Sequence, residues 1–364
     1  MKKHLIRRII PEKTEAWYEA RLATIGASEI GTVMGLSQYK LAASLFLEKA
    51  YLTDVEFRGN KHTYFGTKME SLIADVWEYN DPMEPESYIT NNQLGHKVRK
   101  CRQFNGILIN PKFPHLSASL DRVICKGNFK ITDGSMIETE CPLEIKTIDK
   151  YAMALWQAGV PPVYILQCTQ QMLISETDYS EIALLDSGKD FHTYPIEYRE
   201  ALGNAILSES QLFWDNVLKA REFSEMLKQA RTNLNSKMET EIWAEVEKLV
   251  PRPKDGQEEL YKEYLNDRYN KSDSTRILGD SHLLTTSQRI VILKSVMKEL
   301  LAKEQEYKNT VMEFMGSSEI LYWDHTEDKV TWRENKNGSR YFKFDIVGNP
   351  EKSSILAQNL INSL

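Results

Sequence analysis

Between Phe104 and Tyr198 short β-rich runs alternate with one long helical pattern, and this limits the possible architectures more than any other feature. The runs are FNGILIN (104–110), LSASLDRVIC (116–125), PLEIKT (142–147), SEIALLDSG (180–188) and FHTYPIEY (191–198), punctuated by Gly, Pro, Asn and Asp. Between the third and fourth lies PPVYILQCTQQMLIS (161–175), whose apolar spacing is helical. Upstream, 66–80 forms another strong helical stripe through Met69, Leu72, Ile73, Val76 and Trp77, with Glu70 just off it. Helices followed by a mixed sheet with helices packed on it predict an α/β or α+β core of about two hundred residues.

After about Tyr198 the texture changes. Two long Leu/Met-rich helical segments, 199–230 and 286–316, carry interspersed Glu and Lys, a pattern suited to a helical hairpin or coiled arm. The run 329–347 then places alternating segments on either side of Asn337-Gly338, a β-hairpin signal. The reading therefore divides the chain into residues 1–200, a compact core, and 201–364, a helical extension ending in a β-hairpin.

Composition narrows the function classes. At 364 residues there is ample volume for a core, and the four cysteines, Cys101, Cys125, Cys141 and Cys168, form no C-x-x-C pair. That spacing speaks against a zinc ribbon and a disulfide framework and favours a reducing compartment. The basic N-terminus lacks an apolar h-region and no window reaches membrane-span length, so a cytoplasmic protein without membrane contact is expected. The net charge of −6 shows no global excess of Lys and Arg for nucleic acid. Two basic clusters nevertheless stand out: Lys2, Lys3, Arg7 and Arg8, and the run Lys97, Arg99, Lys100 and Arg102. Each reads either as a solvated face or as a set of phosphate contacts.

The strand PLEIKT carries the chemistry. Side chains alternate across a strand, so Glu144 and Lys146 share one face while Leu143, Ile145 and Thr147 take the other. Alone, Glu-x-Lys describes an ordinary surface ion pair. Asp121, at the head of a strand upstream, changes that, because an adjacent strand could bring a second carboxylate beside Glu144. Two carboxylates suit a hard divalent cation, and a lysine can orient water or offset charge on a phosphate. The combination has the form of a nuclease site.

The ordered runs RLATIGASEIGTVMGLSQYK (21–40), FGTKMES (65–71), LSASLDRVI, PLEIKT and PPVYILQCTQQML resemble the YqaJ-like viral recombinase family, whose relatives include lambda exonuclease. The resemblance covers roughly residues 14 to 200. It implies a restriction-endonuclease-like PD-(D/E)xK core, with a mixed central sheet flanked by helices, and a 5′ to 3′ double-strand DNA exonuclease. It further implies that Asp121, Glu144, the backbone carbonyl of Ile145 and the helical Glu70 bind metal. Lys146 resembles the catalytic lysine, and Gln167 the glutamine that helps position the attacking water. Arg21, Ser28 and Ser119 resemble a pocket for the 5′-phosphate of a DNA end, with Tyr164 one helical turn before Gln167.

The implied cofactor is Mg²⁺ or Mn²⁺, as two ions. The implied partners are duplex ends bearing a 5′-phosphate, a single-strand annealing protein, and further copies of the chain in a ring. A phage or prophage origin follows from the same resemblance. Ser28 also has a structural reading as a helix N-cap, and Arg21 as a partner of Glu15 or Glu19.

The chain departs from the family at Ser119-Leu120-Asp121-Arg122, where Ser-Pro-Asp-Gly is frequent; Arg122 is expected to add a DNA contact. Two other readings stay open. One is a restriction- or helicase-associated nuclease, although no cysteine cluster for an iron–sulfur centre follows Cys168. The other is a catalytically inactive DNA-binding scaffold.

Overall fold

The computed structural model describes residues 8–10, 14–53, 61–84, 86–126, 129–130, 136–137, 140–150, 152–269, 276–334, 338–346 and 359. It divides into two compact units, Met1–Lys271 and Ser272–Leu364.

In the first unit the chain enters through β1 (Arg8–Ile10), α1 (Glu15–Leu22) and β2 (Ile25–Gly26), followed by a 3₁₀ turn, Ala27–Glu29. Three short helices and one long one follow: α2 (Ile30–Val33), α3 (Ala42–Lys49), α4 (Lys61–Tyr79) and α5 (Ser87–Gln93). Then come β3 (Lys100–Gln103), β4 (Ile107–Ile109), β5 (Leu116–Ala118) and β6 (Arg122–Lys126), with a small hairpin of β7 (Phe129–Lys130) and β8 (Met136–Ile137). Strand β9 (Cys141–Ile148), helix α6 (Pro162–Ser175), β10 (Tyr179–Asp186) and β11 (Asp190–Glu197) complete the strand-rich region.

The central sheet runs β11-β10-β9-β6-β3. Only β9 and β10 are parallel, because α6 carries the chain back between them; the other neighbours are antiparallel. Helices cover both faces. Leu143 and Ile145 on one face of β9 bury against Ile73 and Trp77 of α4, whereas Ile182 and Leu184 of β10 bury against Cys168 and Met172 of α6. Burial on both faces explains why β10 is apolar along most of its length. This is the mixed α/β sheet with flanking helices that the alternation predicts. All four cysteines are free.

A second sheet, β1-β4-β5-β2, sits over the largest apolar core, which α2, α3, α6 and α7 (Glu200–Thr232) share. In α7, Ile206, Phe213, Val217, Ala220 and Leu227 recur at helical spacing, and all are buried in that core. The expected boundary at 200/201 thus falls inside the first unit. Helix α8 (Ser236–Glu247) doubles back on α7, contributing Ile242 and Val246, and α9 (Glu258–Arg268) adds Tyr264. Helix α7 is therefore an element of the first unit's core.

That later helix, α10 (Ser281–Met315), belongs to the second unit and begins at Asp280, whose carboxylate accepts from Leu283 N at 2.8 Å. Its Ile290, Leu293, Met297 and Leu300 are exposed and spaced three and four apart. The strands β12 (Ile320–Tyr322), β13 (Lys329–Glu334) and β14 (Arg340–Asp345) form one antiparallel sheet. The expected hairpin is β13–β14, with Trp332 opposite Phe342 and their rings 5.5 Å apart. Gly338 has φ +77°, the left-handed conformation that makes glycine suitable there. Asn337 lies outside the described residues.

Candidate active site

The catalytic-type residues gather where β6 meets β9. Arg122 pairs with Leu143 in the ladder, so Asp121, one residue before β6, lies alongside the middle of β9. There its Oδ2 accepts from the Ile145 backbone N at 2.8 Å. Glu144 projects from the opposite face to Ile145, toward α6, and is 2 % exposed. Its Oε1 accepts from Lys146 Nζ at 2.5 Å and from Gln167 Nε2 at 2.6 Å. Its Oε2 accepts from Gln171 Nε2 at 2.5 Å. A buried carboxylate with that many donors is fixed in position.

The electrostatics follow from the crowding. Burial, and then the charge of Glu144, push the Asp121 carboxyl well above the usual carboxylate range, against the pull of Lys146 and the Ile145 N–H. Burial works against the Lys146 ammonium, but Glu144 and Asp121 outweigh it and raise its pKa, so it stays charged. Its Nζ also lies 5.0 Å from the centre of the Tyr164 ring, which stacks on Trp156. Tyr164 is thus a wall beside the lysine, and its burial raises the phenol pKa.

Glu70 stands on the other side of the sheet, on α4. Arg122 Nη1 lies 3.7 Å from its Oε2, while Arg122 also donates to the Asp121 carbonyl (2.6 Å) and Ser71 Oγ (3.2 Å). Arg122 is buried. This corrects the expectation that it reaches out to DNA. The Ser119 carbonyl lies 3.4 Å from Gln171 Nε2, which brings Ser119 to the edge of the same cluster.

Arg21 and Ser28 are carried by a separate segment. Ser28 is exposed within the 3₁₀ turn and is not a cap; that turn begins at Gly26, whose N–H donates to Glu29 at 2.8 Å. Arg21 packs over the Trp17 ring at 4.9 Å and not onto Glu15 or Glu19, and its buried Nε has no hydrogen-bond partner among the described residues. Lys49, buried to 2 %, fixes this segment from beneath: Nζ donates to the Arg21 carbonyl at 2.5 Å and meets Glu29 at 2.7 Å. Burial lowers its pKa, against the opposing charge of Glu29. From α7, Arg221 donates to the Leu22 carbonyl at 3.0 Å and to that of Lys49 at 2.9 Å. Gln170 links the segment to α6, donating to the carbonyls of Ile25 (2.9 Å) and Ser117 (3.0 Å).

Gln171, Gln170, Lys49 and Arg221 escape sequence reasoning. For Gln171 a signal exists: it lies four residues after Gln167 and so on the same helix face. Lys49 and Arg221 carry no such signal, since their carbonyl partners are distant in sequence. Three members of the basic run 97–102 have acidic partners, and Lys100 is exposed. Arg99 is buried against Glu181 (2.9 Å), Lys97 pairs with Asp75 and Glu78, and Arg102 with Glu140. The structure of Lys2, Lys3 and Arg7 lies outside the described residues.

Residues 16–179 match the model of the YqaJ-like viral recombinase domain. Over 311 residues the chain is 21% identical to the protein YqaJ of Bacillus subtilis (strain 168), covering 84% of this chain and 79% of that relative. Among solved structures, an alkaline exonuclease from Laribacter hongkongensis matches with a TM-score of 0.42 and 22% identity, covering 61% of this chain and all of the other. A phage-related exonuclease from Haemophilus somnus 129PT matches with a TM-score of 0.31 and 15% identity, over 54% of this chain and 95% of that one. Within the matched segment lie Asp121, Glu144, Lys146 and all three α6 glutamines. Arg221, which holds the Leu22 carbonyl, lies beyond it. No helix among the described residues is long and apolar enough to cross a membrane.

Proposed function

We propose that the chain is a nuclease, a metal-dependent 5′ to 3′ double-strand DNA exonuclease that leaves 3′ single-stranded overhangs for recombination by strand annealing. The observation that carries this reading is the cluster of Asp121, Glu144 and Lys146 on adjacent strands, inside a YqaJ-like domain.

Among the described residues no three His, Cys, Asp or Glu side chains converge as a ready metal cage. The donor set still fits a hard cation. Asp121 and Glu144 are oxygen donors close enough for one charge to raise the other's pKa, and a divalent ion between them would relieve that repulsion. Asp121, Glu144 and the Ile145 carbonyl would hold the ion. Mg²⁺ or Mn²⁺ there supplies a Lewis acid for the phosphate and lowers the pKa of the attacking water.

The chain's own residues do the rest. Lys146, held charged beside Glu144, orients water and offsets charge developing on the phosphate. Gln167 and Gln171 keep Glu144 from turning away; in this geometry Gln167 acts on the carboxylate and not on water directly. Arg21, with Ser28 and Ser119, takes the 5′-phosphate, whose oxygens suit the planar fork of a guanidinium. Holding the end sets which linkage reaches Glu144 and therefore the direction of digestion. The partners belong to the same proposal: duplex ends, a single-strand annealing protein, further copies of the chain as a ring, and the cytoplasm of a phage-bearing host.

The test uses linear duplexes labelled at either terminus, with 5′-phosphate or 5′-hydroxyl ends, in Mg²⁺ or EDTA. The proposal expects early loss of the 5′ label, faster on phosphorylated ends, and no reaction in EDTA. Loss of the 3′ label first would contradict the direction, and equal rates on both ends would contradict the phosphate pocket.

A further inference from the structure

Tyr39 holds a large aromatic ring in solvent, 81% exposed, on the loop between α2 and α3. A lone exposed ring is ordinary on a protein surface, but this one has a fixed mount and a place beside the candidate active site. The mount starts at Gly35, which turns the chain out of α2 with φ +74° and lies directly against the stem of Lys254. The backbone N–H groups of Leu36 and Ser37 donate to the Gly31 carbonyl at 2.8 and 3.1 Å. Ser37 Oγ accepts from the N–H groups of Tyr39 (3.2 Å) and Lys40 (3.3 Å). Gln257 Nε2 donates to the Ser37 carbonyl at 3.2 Å, and Lys40 pairs with Glu48 of α3 at 2.5 Å.

The place follows from α6. Gly31 packs against Val163, the neighbour of Tyr164, so closely that a Cβ on Gly31 would come within 3.1 Å of Val163 Cγ1. The loop folded onto the Gly31 carbonyl is therefore beside the start of α6, and Tyr39 lies within electrostatic reach of the Tyr164 phenol. Tyr164 stacks on Trp156 and has Lys146 Nζ 5.0 Å from its ring centre. Outward from Lys146 come Tyr164, half-buried, and then Tyr39, in solvent.

We propose that Tyr39 is a stacking platform for an unpaired base of the DNA strand being digested. This rests on the nuclease reading. Glu144 is 2% exposed, so a strand parts from its complement to bring a phosphate to so recessed a carboxylate. The base freed by that step loses its pairing and its stack. Neither Lys146 nor a carboxylate can replace a stack, whereas an aromatic ring does so for any base and therefore without regard to sequence. Because the loop is already held, the ring is presented without a backbone-ordering cost on binding.

The test reads contact and kinetics separately, on the full chain. For contact, 5-iododeoxyuridine is placed near the 5′ terminus of a 5′-phosphorylated duplex whose terminal linkages resist hydrolysis. Irradiation in Mg²⁺ joins that base to an aromatic ring stacked on it, and mass spectrometry maps the link. The proposal expects the cross-link at residue 39 in the wild type and in Tyr39→Trp, and none there in Tyr39→Ala. In steady-state digestion of the unmodified duplex, Tyr39→Ala raises KM by about 5- to 150-fold, the range for one lost base–ring stack, with kcat unchanged. Tyr39→Phe keeps the wild-type KM. No cross-link at residue 39, or a wild-type KM in Tyr39→Ala while the wild type digests duplex, overturns the proposal and leaves the nuclease reading intact. A KM raised as much in Tyr39→Phe as in Tyr39→Ala assigns the effect to the hydroxyl and overturns it too. A wild-type chain that neither binds nor digests duplex overturns both.

Discussion

At the scale of single residues, Glu144 is where burial, charge and hydrogen bonding meet. Three side-chain donors converge on its two oxygens, and two come from one helix face four residues apart. Gln171 is the less obvious of that pair, and it is completely buried. Gln171→Ala is expected to lower duplex digestion by about 10–100-fold, the range for partners that orient a metal-binding carboxylate. Gln171→Glu should lose more, because a second negative charge would face Glu144; steady-state rates on a linear duplex check both. Glu144 and Lys146 were legible as a pair because strand alternation puts them on one face, whereas Asp121 was placed beside them by supposing an adjacent strand. Gln171 was not, because a glutamine in a helix more often faces solvent. Arg122 was misplaced because nothing in the sequence shows that Glu70 and Ser71 of α4 stand over the start of β6.

At the scale of elements, the central sheet and its helices are pinned by buried polar groups as well as by apolar contact. Arg99 and Glu181 form an ion pair buried to a few per cent, with the Trp77 indole N–H also donating to Glu181 at 2.9 Å. Arg99 stacks on the Trp77 ring, 4.0 Å from its centre. Removing one partner strands the other charge, so Glu181→Ala is expected to cost about 3–5 kcal/mol in urea unfolding. Another polar link joins α7 to the loop before β5, where His115 Nε2 lies 3.0 Å from Ser210 Oγ. Burial lowers the His115 pKa below its ordinary value, so the unfolded chain binds that proton more readily. Its contribution to stability is therefore complete above about pH 6.5 and shrinks as pH falls toward its lowered folded value. Urea midpoints at about pH 5.5 and pH 7.5 should differ less in His115→Gln than in the wild type. Of the central sheet, β6, β9, β10 and β11 were readable from their punctuation, whereas β3 was not, because it begins within the charged run 97–102. Their order, with β6 beside β9, was expected only through Asp121.

At the scale of the whole molecule, α7 decides where the catalytic body ends. The change to long charged helices after Tyr198 looks like a boundary in sequence, yet Ile206, Phe213, Val217, Ala220 and Leu227 complete the core beneath β2 and β5. Composition cannot reveal this, since a helix with one apolar face reads alike whether that face meets a core or a partner. A chain of residues 1–200 should therefore fail to fold cooperatively, whereas 1–271 should fold and keep digesting duplex ends; thermal unfolding and end-label release on both pieces check this. Digestion confined to the full chain would show that residues 272–364 belong to the catalytic body.

The most direct measurement compares Mg²⁺-dependent digestion of a 5′-phosphorylated linear duplex by the wild type, Glu144→Ala and Lys146→Ala, each shown to be folded by circular dichroism. The account predicts that wild type shortens the strand from its 5′ end while both variants lose at least about 100-fold in rate, as expected when a charge-stabilising group is removed. Digestion undiminished in both variants, or absent from the wild type, would contradict it.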